Sequence, residues 1–523
     1  MREFVDVVWL VTIVVAVTAV ARRWSLVTPI LLVVVGLALS FVPGFPTIHL
    51  DPEFILIGIL PPLLFVAALE TSVPAFRFNL RPILLLAVGL VIFTMLAVGL
   101  VVHSLLPEVP LSACLALGAV VAPPDAIATT AIARRIGLPR RMVTILEGES
   151  LLNDATALVL FRVTVAAAVG TAVGFGEITM EILLAAGGGF LIGAAGAAVL
   201  SYLHRHTTDS LLDNALSLLT PFLVALAAEA VRASPVVAVV VTGLYLGHRL
   251  PTLMSAGSRL QMGAFWRMVK FVLEGLVFLV VGLQLRDVLE ALNTQTSDAV
   301  TITAAVLGTA IVARFIWVYP ATYLPRLIPQ IRERDPAPPL SVPTVVAWAG
   351  MRGVVTLATA LALPVTLAGG RTYPRDLFIW LAFAVIIGTL VIQGLTLAPF
   401  ARWLHVRPDD PTQDFLAEAA IQHAASRAAR ERLDDLAPEA PTAVVERLRA
   451  LTQSRSNTAW ERLGGGGETP SAAYVRLRRA MLNAEREVFR AARDEGRIPE
   501  EVLVRAQRDM DLEEAMLDRG ELG

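Results

Sequence analysis

Charged residues are scarce in this chain, and cysteine is almost absent. Asp, Glu, Lys and Arg make up 17% of its 523 residues, whereas soluble globular domains carry about 25%. The single Cys114 excludes an intramolecular disulfide. The seven histidines form no zinc motif, and the sequence contains no phosphate loop, no GxGxxG turn and no calcium loop. We therefore expect no cofactor, and the net charge of −2 gives no indication of a nucleic-acid partner.

Hydrophobic residues are abundant instead. They form 56% of the chain, and the mean hydropathy is +0.68. Apolar runs of about 17 to 25 residues are long enough to cross a lipid bilayer as helices. The sequence predicts an all-α polytopic membrane protein with about thirteen such spans, near residues 5–21, 25–42, 53–70, 82–106, 111–133, 143–169, 180–203, 212–232, 235–250, 266–286, 299–325, 341–365 and 375–403.

The charges in the loops predict the orientation of these spans. Arginines accumulate after odd-numbered spans, for example Arg134, Arg135, Arg140 and Arg141. Loops after even-numbered spans carry acidic residues such as Glu108 and few arginines. Because cytoplasmic loops are rich in Lys and Arg, we expect a multi-pass cell-membrane protein with an outside N-terminus and a cytoplasmic C-terminus. The first span lacks a small-residue cleavage site, so we interpret it as a retained helix rather than a signal peptide.

The chain changes character after Leu404. The following residues are rich in Arg, Glu and Ala, with helical spacing in 413–436, 441–463, 471–495 and 499–518. We therefore divide the chain into a transmembrane domain, 1–404, and a cytoplasmic helical domain, 405–523. The charge pattern of the second domain is typical of solvated helices, and it indicates no ligand.

One apolar segment, Glu147 to Phe161, carries an unusual number of polar residues. On a helix Ser150 lies over Asp154, and Glu149 lies over Asn153, in two adjacent columns. A carboxylate in the middle of a membrane is costly and therefore points to the protein interior and to a function. The sequence predicts that Asp154 is the central functional residue.

Two predicted spans are interrupted. Consecutive prolines at Pro123 and Pro124, directly before Asp125, remove two backbone donors and open the fifth span. In the twelfth span Arg352 lies between Gly350 and Gly353. The two breaks occupy corresponding positions if spans one to six and eight to thirteen form inverted repeats. Interrupted helices at corresponding positions of two repeats indicate the binding site of a transporter.

Four segments carry a specific resemblance: EGESLLNDATALVLF, APPDAIATTAIARRIGLPRR, FVLEGLVFLVVGLQLR and WAGMRGVVTLATALALP. They resemble, in order, segments of the bacterial NhaP-type and eukaryotic sodium/proton exchangers, the electroneutral branch of the monovalent cation/proton antiporters. The resemblance covers residues 1 to about 404 and does not extend into the tail. It implies a homodimer, with a dimerisation subdomain and a core subdomain that carries the ion across the bilayer by an elevator-type movement.

The resemblance also assigns roles to individual residues. It implies that Asp154 binds either a proton or a cation, with help from the Ser150 hydroxyl and from Asp125. It implies a structural polar network of Glu149, Asn153 and Arg352. Two departures concern the ligands. The family's threonine before the acidic residue is Pro124 here, so only its carbonyl can bind an ion. The glutamate common in the third span is Val66 here, and the nearest carboxylate is Glu70.

These residues predict the chemistry of the site. Hard monovalent cations prefer oxygen ligands, so we expect sodium at Asp154, Ser150 and Asp125, with the Pro124 carbonyl and water. Burial favours the protonated form of a carboxyl group, and a bound cation favours the ionised form. Proton and cation therefore compete for one carboxylate. With Asn153 in place of a second titrating group, we expect one proton exchanged per sodium ion, without net charge, for pH and sodium homeostasis.

The remaining intramembrane charges need partners, because an unpaired buried charge is costly. For Arg352 we expect the partner to be Glu149. Lys270 and Glu274 are four residues apart and suited to a local pair, and Glu274 is alternatively a partner for Arg314. We interpret these pairs as structural.

Several other functions compete with sodium/proton exchange. Potassium/proton exchange uses the same oxygen ligands, and a sensor that binds ions without transporting them has the same fold. An intramembrane aspartyl protease would use Asp125 and Asp154 as its two carboxylates. The sequence lacks a GxGD stretch, and the proline break favours transport. We therefore predict an antiporter rather than an enzyme. The expected partners of this antiporter are a monovalent cation, a proton, the lipid bilayer and a second copy of the chain.

Overall fold

The computed structural model describes residues 2–24, 26–43, 53–170, 175–292, 296–461 and 469–521. Throughout these residues the regular elements are helices. The chain divides into two compact units, residues 1–408 and residues 409–523. We describe each unit by itself.

The first unit contains the apolar helices. Its first half comprises α1 (Arg2–Arg23), α2 (Thr28–Ser40), a π-helix (Phe54–Ile59) that continues as α3 (Leu60–Glu70), α4 (Val73–Phe78), α5 (Leu80–Leu84), a π-helix (Leu85–Leu90) that continues as α6 (Val91–Leu105), α7 (Leu111–Val121), α8 (Ala126–Arg135) and α9 (Arg140–Val169). The second half comprises α10 (Phe175–His206), α11 (Ser210–Ala230), α12 (Pro235–Leu253), α13 (Ala256–Leu283), α14 (Leu285–Ala291), α15 (Thr296–Tyr323), a 3₁₀ turn (Leu324–Leu327), α16 (Pro329–Arg334), α17 (Ser341–Trp348), α18 (Val354–Leu361), a 3₁₀ turn (Ala368–Gly370) and α19 (Arg375–Trp403).

Every predicted span coincides with one of these helices or with two or three in succession. Among the described residues, nine helices are long and apolar enough to cross a membrane, and three shorter apolar helices accompany them. The prediction of an all-α polytopic membrane protein is confirmed. Some predicted bounds were wrong: α9 begins at Arg140 rather than 143, and α13 begins at Ala256 rather than 266. Both helices begin with polar turns, and hydropathy marks the bilayer thickness rather than the end of a helix.

The two predicted breaks are present. Between α7 and α8 the backbone is non-helical at residues 122–125, and between α17 and α18 it is non-helical at residues 349–353. Pro123 and Pro124 cause the first break because they lack N–H donors for the preceding turn. Each broken span therefore consists of two half-helices.

Small residues allow some of the helices to approach closely. Gly36 of α2 lies against the backbone of α13, and a side chain there would collide with the Leu279 carbonyl oxygen and with Gly282. Gly118 of α7 lies in the same way against the backbone of Met95 in α6. Such contacts between small residues are the usual means of helix association inside a membrane.

One end of the first unit is tied together by Asp335, which lies in the loop between α16 and α17, outside the membrane-spanning segments. Its carboxylate accepts hydrogen bonds from three guanidinium groups, those of Arg81, Arg141 and Arg326. Partial burial alone would raise the pKa of this carboxyl group. Arg141 and Arg326 nevertheless hold the pKa of Asp335 below its ordinary value. A single carboxylate thus joins α5, α9 and the 3₁₀ turn after α15.

We expect Asp335→Asn to lower the free energy of unfolding by about 1 to 3 kcal/mol at neutral pH, because it replaces charge-assisted hydrogen bonds by neutral ones. The folded pKa is depressed, so this stabilisation is present above the unfolded value of about 3.9 and is lost as the pH falls through the folded value. Thermal unfolding of the purified wild type and the variant, measured from neutral to acid pH, tests both the loss of stability and its dependence on pH.

The difference in the free energy of unfolding between the wild type and Asp335→Asn should become smaller as the pH falls. Glu290→Gln is the matched control, because Glu290 forms an exposed pair with Arg286, one turn away on α14. We expect this control to change stability by less than about 0.5 kcal/mol. An Asp335→Asn effect that is equal at every pH would contradict the assignment.

The second unit consists of α20 (Pro411–Leu436), a 3₁₀ turn (Ala437–Glu439), α21 (Thr442–Glu461), α22 (Pro470–Asp494) and α23 (Glu500–Glu521). The four predicted tail helices are present. Buried Leu482 of α22 and Leu503 of α23 mark the apolar side of this pair. Arg478 of α22 donates two hydrogen bonds to Glu513 of α23, at 2.6 and 2.7 Å. Such surface pairs are worth little individually and set the register between neighbouring helices.

Candidate ion-binding site

The two breaks lie against each other and exchange hydrogen bonds. The Asp125 N–H group donates to the Met351 carbonyl oxygen at 2.7 Å. In the opposite direction, Nε of Arg352 donates to the Val121 carbonyl oxygen at 3.0 Å. Each break therefore supplies a hydrogen-bond partner to a backbone or polar group that the other break leaves unpaired. This reciprocity allows non-helical backbone to exist inside a membrane protein.

Asp125 lies where two half-helices begin. Its Oδ1 accepts a hydrogen bond from the Ile127 N–H group at 2.9 Å and caps α8. Its carboxylate also packs against Gly353, directly before α18, and a Cβ atom on Gly353 would come within 2.5 Å of Oδ2. Glycine at this position lets the carboxylate reach the second half-helix. Helix N-termini carry partial positive charge, which offsets part of the cost of burying this carboxylate.

Asn153 attaches the first break to α9. Its Nδ2 donates to the Pro124 carbonyl oxygen at 2.7 Å, and the side chain is fully buried. The predicted role of Asn153 in a structural network is compatible with this contact. The contact also fixes the Pro124 carbonyl, which the sequence analysis proposed as an ion ligand.

A cavity of about 230 Å³ lies beside the break in the fifth span. All four residues predicted to bind the ion line it: Pro124, Asp125, Ser150 and Asp154. Since one water occupies about 30 Å³ in the liquid, the cavity has room for a cation with several waters. The sequence analysis thus selected residues from two different spans that share one cavity.

The Asp154 carboxylate is buried, with 7% of the residue exposed. Within the described part of the chain, it accepts no hydrogen bond from a protein group and forms no ion pair. Such a carboxylate gains much from binding a proton or a cation, because its charge is otherwise uncompensated. This is the chemical property that a carrier of either ion needs.

The expected pair of Glu149 with Arg352 is wrong. Glu149 forms a bidentate ion pair with Arg314 of α15, at 2.5 and 2.8 Å, and both side chains are 1% exposed. Nε of Arg314 also donates to the Val346 carbonyl oxygen of α17, at 3.1 Å. The alternative pairing of Glu274 with Arg314 is therefore wrong as well. Arg314 satisfies Glu149 because its planar fork matches both carboxylate oxygens.

Arg352 is held by backbone carbonyls rather than by an acid. Its guanidinium group donates to the carbonyl oxygens of Val121 and Gly350. The backbone N–H group of Arg352 donates to Oγ1 of Thr389 at 3.0 Å. Among the described residues it forms no ion pair within 4 Å. Val121 is the last residue of α7, where the helix dipole is negative. The guanidinium group therefore takes the place of a C-terminal cap.

The remaining predicted residues line the same cavity. Glu70 of α3 forms an ion pair with Lys270 of α13 at 2.8 Å, and both side chains are partly exposed. Lys270 thus reaches across to another helix instead of pairing with Glu274, which also lines the cavity. The sequence analysis missed a second pair at this cavity, Arg134 with Glu147 at 2.6 Å.

Thr356 of α18 is a further cavity residue that the sequence analysis missed. It lies inside WAGMRGVVTLATALALP, and a single threonine in an apolar helix does not by itself indicate a binding residue. The available signal was its position directly after the predicted break at Gly353, in the first turn of α18.

The site and fold together define a class of protein: a secondary transporter whose site is built from two crossed, interrupted helices next to a buried carboxylate. A family model described as "Sodium/hydrogen exchanger, transmembrane" matches residues 10–403. The chain belongs to the sodium/hydrogen exchanger family, which confirms the resemblance noted from the sequence.

Several known proteins are similar over much of the chain. An uncharacterized Na⁺/H⁺ exchanger of Mycobacterium tuberculosis is 34% identical, with 98% of this chain and 96% of the relative covered. A sodium, potassium, lithium and rubidium/H⁺ antiporter of Bacillus subtilis is 29% identical, with 96% and 76% covered. The structure of the sodium proton antiporter MjNhaP1 from Methanocaldococcus jannaschii matches with a TM-score of 0.60 at 16% identity, covering 77% of this chain and 99% of that one. This last likeness establishes the fold.

We expect Glu149→Gln to destabilise the membrane unit by about 3 to 5 kcal/mol, because it leaves the buried Arg314 charge without its partner. Thermal unfolding in detergent measures the loss. Glu229→Gln serves as the control, since Glu229 forms a half-exposed pair with Arg162 at 3.4 Å. We expect this control to change stability by less than about 1 kcal/mol. Equal effects of the two variants would contradict the structural role of Glu149.

Proposed function

We propose that the protein is a sodium/proton antiporter that exchanges one sodium ion for one proton. The observation that carries this proposal is the cavity in which the unpartnered Asp154 carboxylate meets Asp125, Ser150 and the opened backbone at Pro124. Carboxylate, hydroxyl and carbonyl oxygens suit a hard monovalent cation, and the carboxylate also takes a proton. Membership of the sodium/hydrogen exchanger family supports the same pair of ions.

Competition for Asp154 explains the coupling. A proton or a cation neutralises this carboxylate, whereas a bare carboxylate is too costly to move through the barrier. The carrier therefore crosses only when it is occupied. In this proposal Asp125, which caps α8 and contacts Gly353, keeps one charge state throughout the exchange. Since Asn153 supplies no second titrating group, one proton exchanges for one cation, without net charge.

The arrangement of the cavity wall supports an elevator-type mechanism. The groups proposed as ligands belong to the break between α7 and α8 and to α9. Another part of the wall belongs to α3 and α13, which contribute apolar Leu60, Leu63, Leu64 and Val277 as well as the charged residues Glu70, Lys270 and Glu274. In this proposal the ligands move as one body past the apolar residues of α3 and α13. In this proposal the first group is the core subdomain and the second belongs to the dimerisation subdomain of a homodimer.

The orientation and the surroundings of the protein form part of the same proposal. The loop charges support an outside N-terminus and a C-terminal helical domain, residues 405–523, in the cytoplasm of a cell whose plasma membrane holds the antiporter. The partners are then the bilayer, the two ions and a second copy of the chain. The antiporter needs no cofactor, because the gradients of the two ions supply the driving force.

Potassium is a second candidate for the transported cation. The Bacillus subtilis relative is named for transport of sodium, potassium, lithium and rubidium. The cavity here has room for a larger ion, and its oxygen ligands do not exclude one. Sodium remains our first choice because of the family to which the chain belongs.

Proton flux in proteoliposomes with an imposed pH gradient tests the function. We expect sodium or lithium to collapse the gradient in the wild type, and potassium alone to do so if the second candidate is correct. Asp154→Asn should reduce the rate at least about 100-fold, because the variant carries no exchangeable charge. Its thermal unfolding should match the wild type, with Glu229→Gln as a transporting control.

Two results would contradict the proposed function. Exchange that persists in Asp154→Asn would show that another group carries the ions. Binding of sodium to the wild type without any flux would indicate a sensor built on the same fold.

Electroneutrality has a separate test. If one proton exchanges for one cation, a membrane potential imposed with potassium and valinomycin should leave the initial rate of sodium/proton exchange unchanged within about twofold. The same vesicles without valinomycin are the control. A rate that rises or falls steeply with the sign of the potential would contradict one-for-one exchange and would require a second titrating group.

A further inference from the structure

One hydroxyl group at the cavity has no partner. Thr356 is 1% exposed, it lines the cavity, and its Oγ1 forms no hydrogen bond within the described part of the chain. A buried hydroxyl without a partner costs stability, so native structures seldom leave one. We therefore expect the Thr356 hydroxyl to bind a ligand.

The helix break explains why Thr356 lacks its usual partner. Several buried threonines in these helices donate to the carbonyl four residues earlier, as Thr359 does to Val355 at 2.7 Å and Thr389 does to Val385 at 2.8 Å. The corresponding residue for Thr356 is Arg352, which lies in the non-helical segment before α18. Its carbonyl is not placed to accept the bond.

The position of Thr356 on α18 directs it towards the proposed ligands. Gly353, three residues earlier, contacts the Asp125 carboxylate. Thr356 lies in the first turn of α18, which follows Gly353 directly. It shares the cavity with Asp125, Ser150 and Asp154.

The oxygen atoms already assigned to the site are partly occupied. The Pro124 carbonyl accepts a hydrogen bond from Asn153, and Oδ1 of Asp125 accepts one from the Ile127 N–H group. A dehydrated alkali cation needs several oxygen ligands at once. A hydroxyl oxygen with both lone pairs unused meets this need better than either of these atoms.

We propose that Oγ1 of Thr356 is a ligand of the transported alkali cation, together with Asp154, Ser150 and Asp125. The inference rests on the proposed antiport function and adds a binding residue from the second broken helix. Thr356 has no part in binding the proton, which goes to the Asp154 carboxylate. The hydroxyl thus increases the affinity of the site for the cation alone.

This division of roles gives a specific kinetic signature. When a proton competes with the cation, the apparent KM for sodium is the intrinsic dissociation constant multiplied by a factor that depends only on pH. Thr356→Val keeps the shape of the side chain and removes the hydroxyl. We expect it to raise the KM for sodium about fivefold to tenfold at every pH, with no change in the kcat or in the pH at which a plot of log KM against pH bends.

The experiment compares four variants in proteoliposomes across the pH range: Thr356→Val, Thr356→Ala, Thr356→Ser and Thr359→Val. Thr359 is the matched control, because it lies on the same helix, is buried and donates to a carbonyl, and it is not among the cavity residues. We expect Thr356→Ser and Thr359→Val to keep the wild-type KM. Sodium-dependent thermal stabilisation of the purified variants measures binding independently of transport.

The outcomes separate this inference from the proposed function. If the wild type exchanges no cation for protons, the proposed function fails. If the wild type exchanges sodium and Thr356→Val keeps its KM, the inference alone is overturned. If the valine variant is unstable, Ala and Ser decide: a KM that follows the presence of the hydroxyl supports the inference, and equal values for Ala and Ser overturn it. A shift in the pH at which log KM bends would also overturn it, since this bend reports the titration of Asp154 itself.

Discussion

The fold depends on one constraint, the need to satisfy backbone groups inside a membrane. Two helices are opened at the centre of the first unit, and the open segments satisfy each other through Asp125 with Met351 and Arg352 with Val121. Neither break is tolerable alone, because exposed carbonyls have no water in the bilayer core. The crossing therefore fixes how the two halves of the membrane unit pack, and it places Asp125 and Thr356 beside the helix that carries Asp154.

The buried charges divide into two kinds. Glu149 and Arg314 compensate each other, with two hydrogen bonds and almost no exposure. Arg352 is held by the carbonyl oxygens of Val121, at the end of α7, and of Gly350. Of the buried carboxylates among the described residues, Asp154 is the one without a protein partner, although it lies five residues from Glu149 on α9. Fixed pairs hold the helices in place, so that the one uncompensated carboxylate is available for exchangeable ions. A partner for Asp154 within the protein would compete with the cation.

The sequence predicted the parts of the site that depend on local chemistry. Prolines at 123 and 124 predict a break, and polar residues at helical spacing predict the face that holds Ser150 and Asp154. The partner of Glu149 was not predictable in this way, because two arginines on distant helices compete for it and only the packing of α15 on α17 decides. The role of Thr356 was hidden for a related reason: its missing partner results from the backbone path at Arg352, and hydropathy carries no information about that path.

The shape of the cavity links the ion chemistry to movement. The proposed ligands belong to α9, α18 and the break before α8, while α3 and α13 contribute apolar Leu60, Leu63, Leu64 and Val277 next to the charged residues Glu70, Lys270 and Glu274. A charged face sliding past the apolar residues would lose its hydration without gaining contacts, whereas a face neutralised by a proton or a sodium ion would not. In the proposed mechanism these apolar residues form the barrier to a bare carboxylate, and they need no moving part of their own. Coupling between the two ions then follows from burial of Asp154, and any group that compensates this carboxylate permanently would uncouple them.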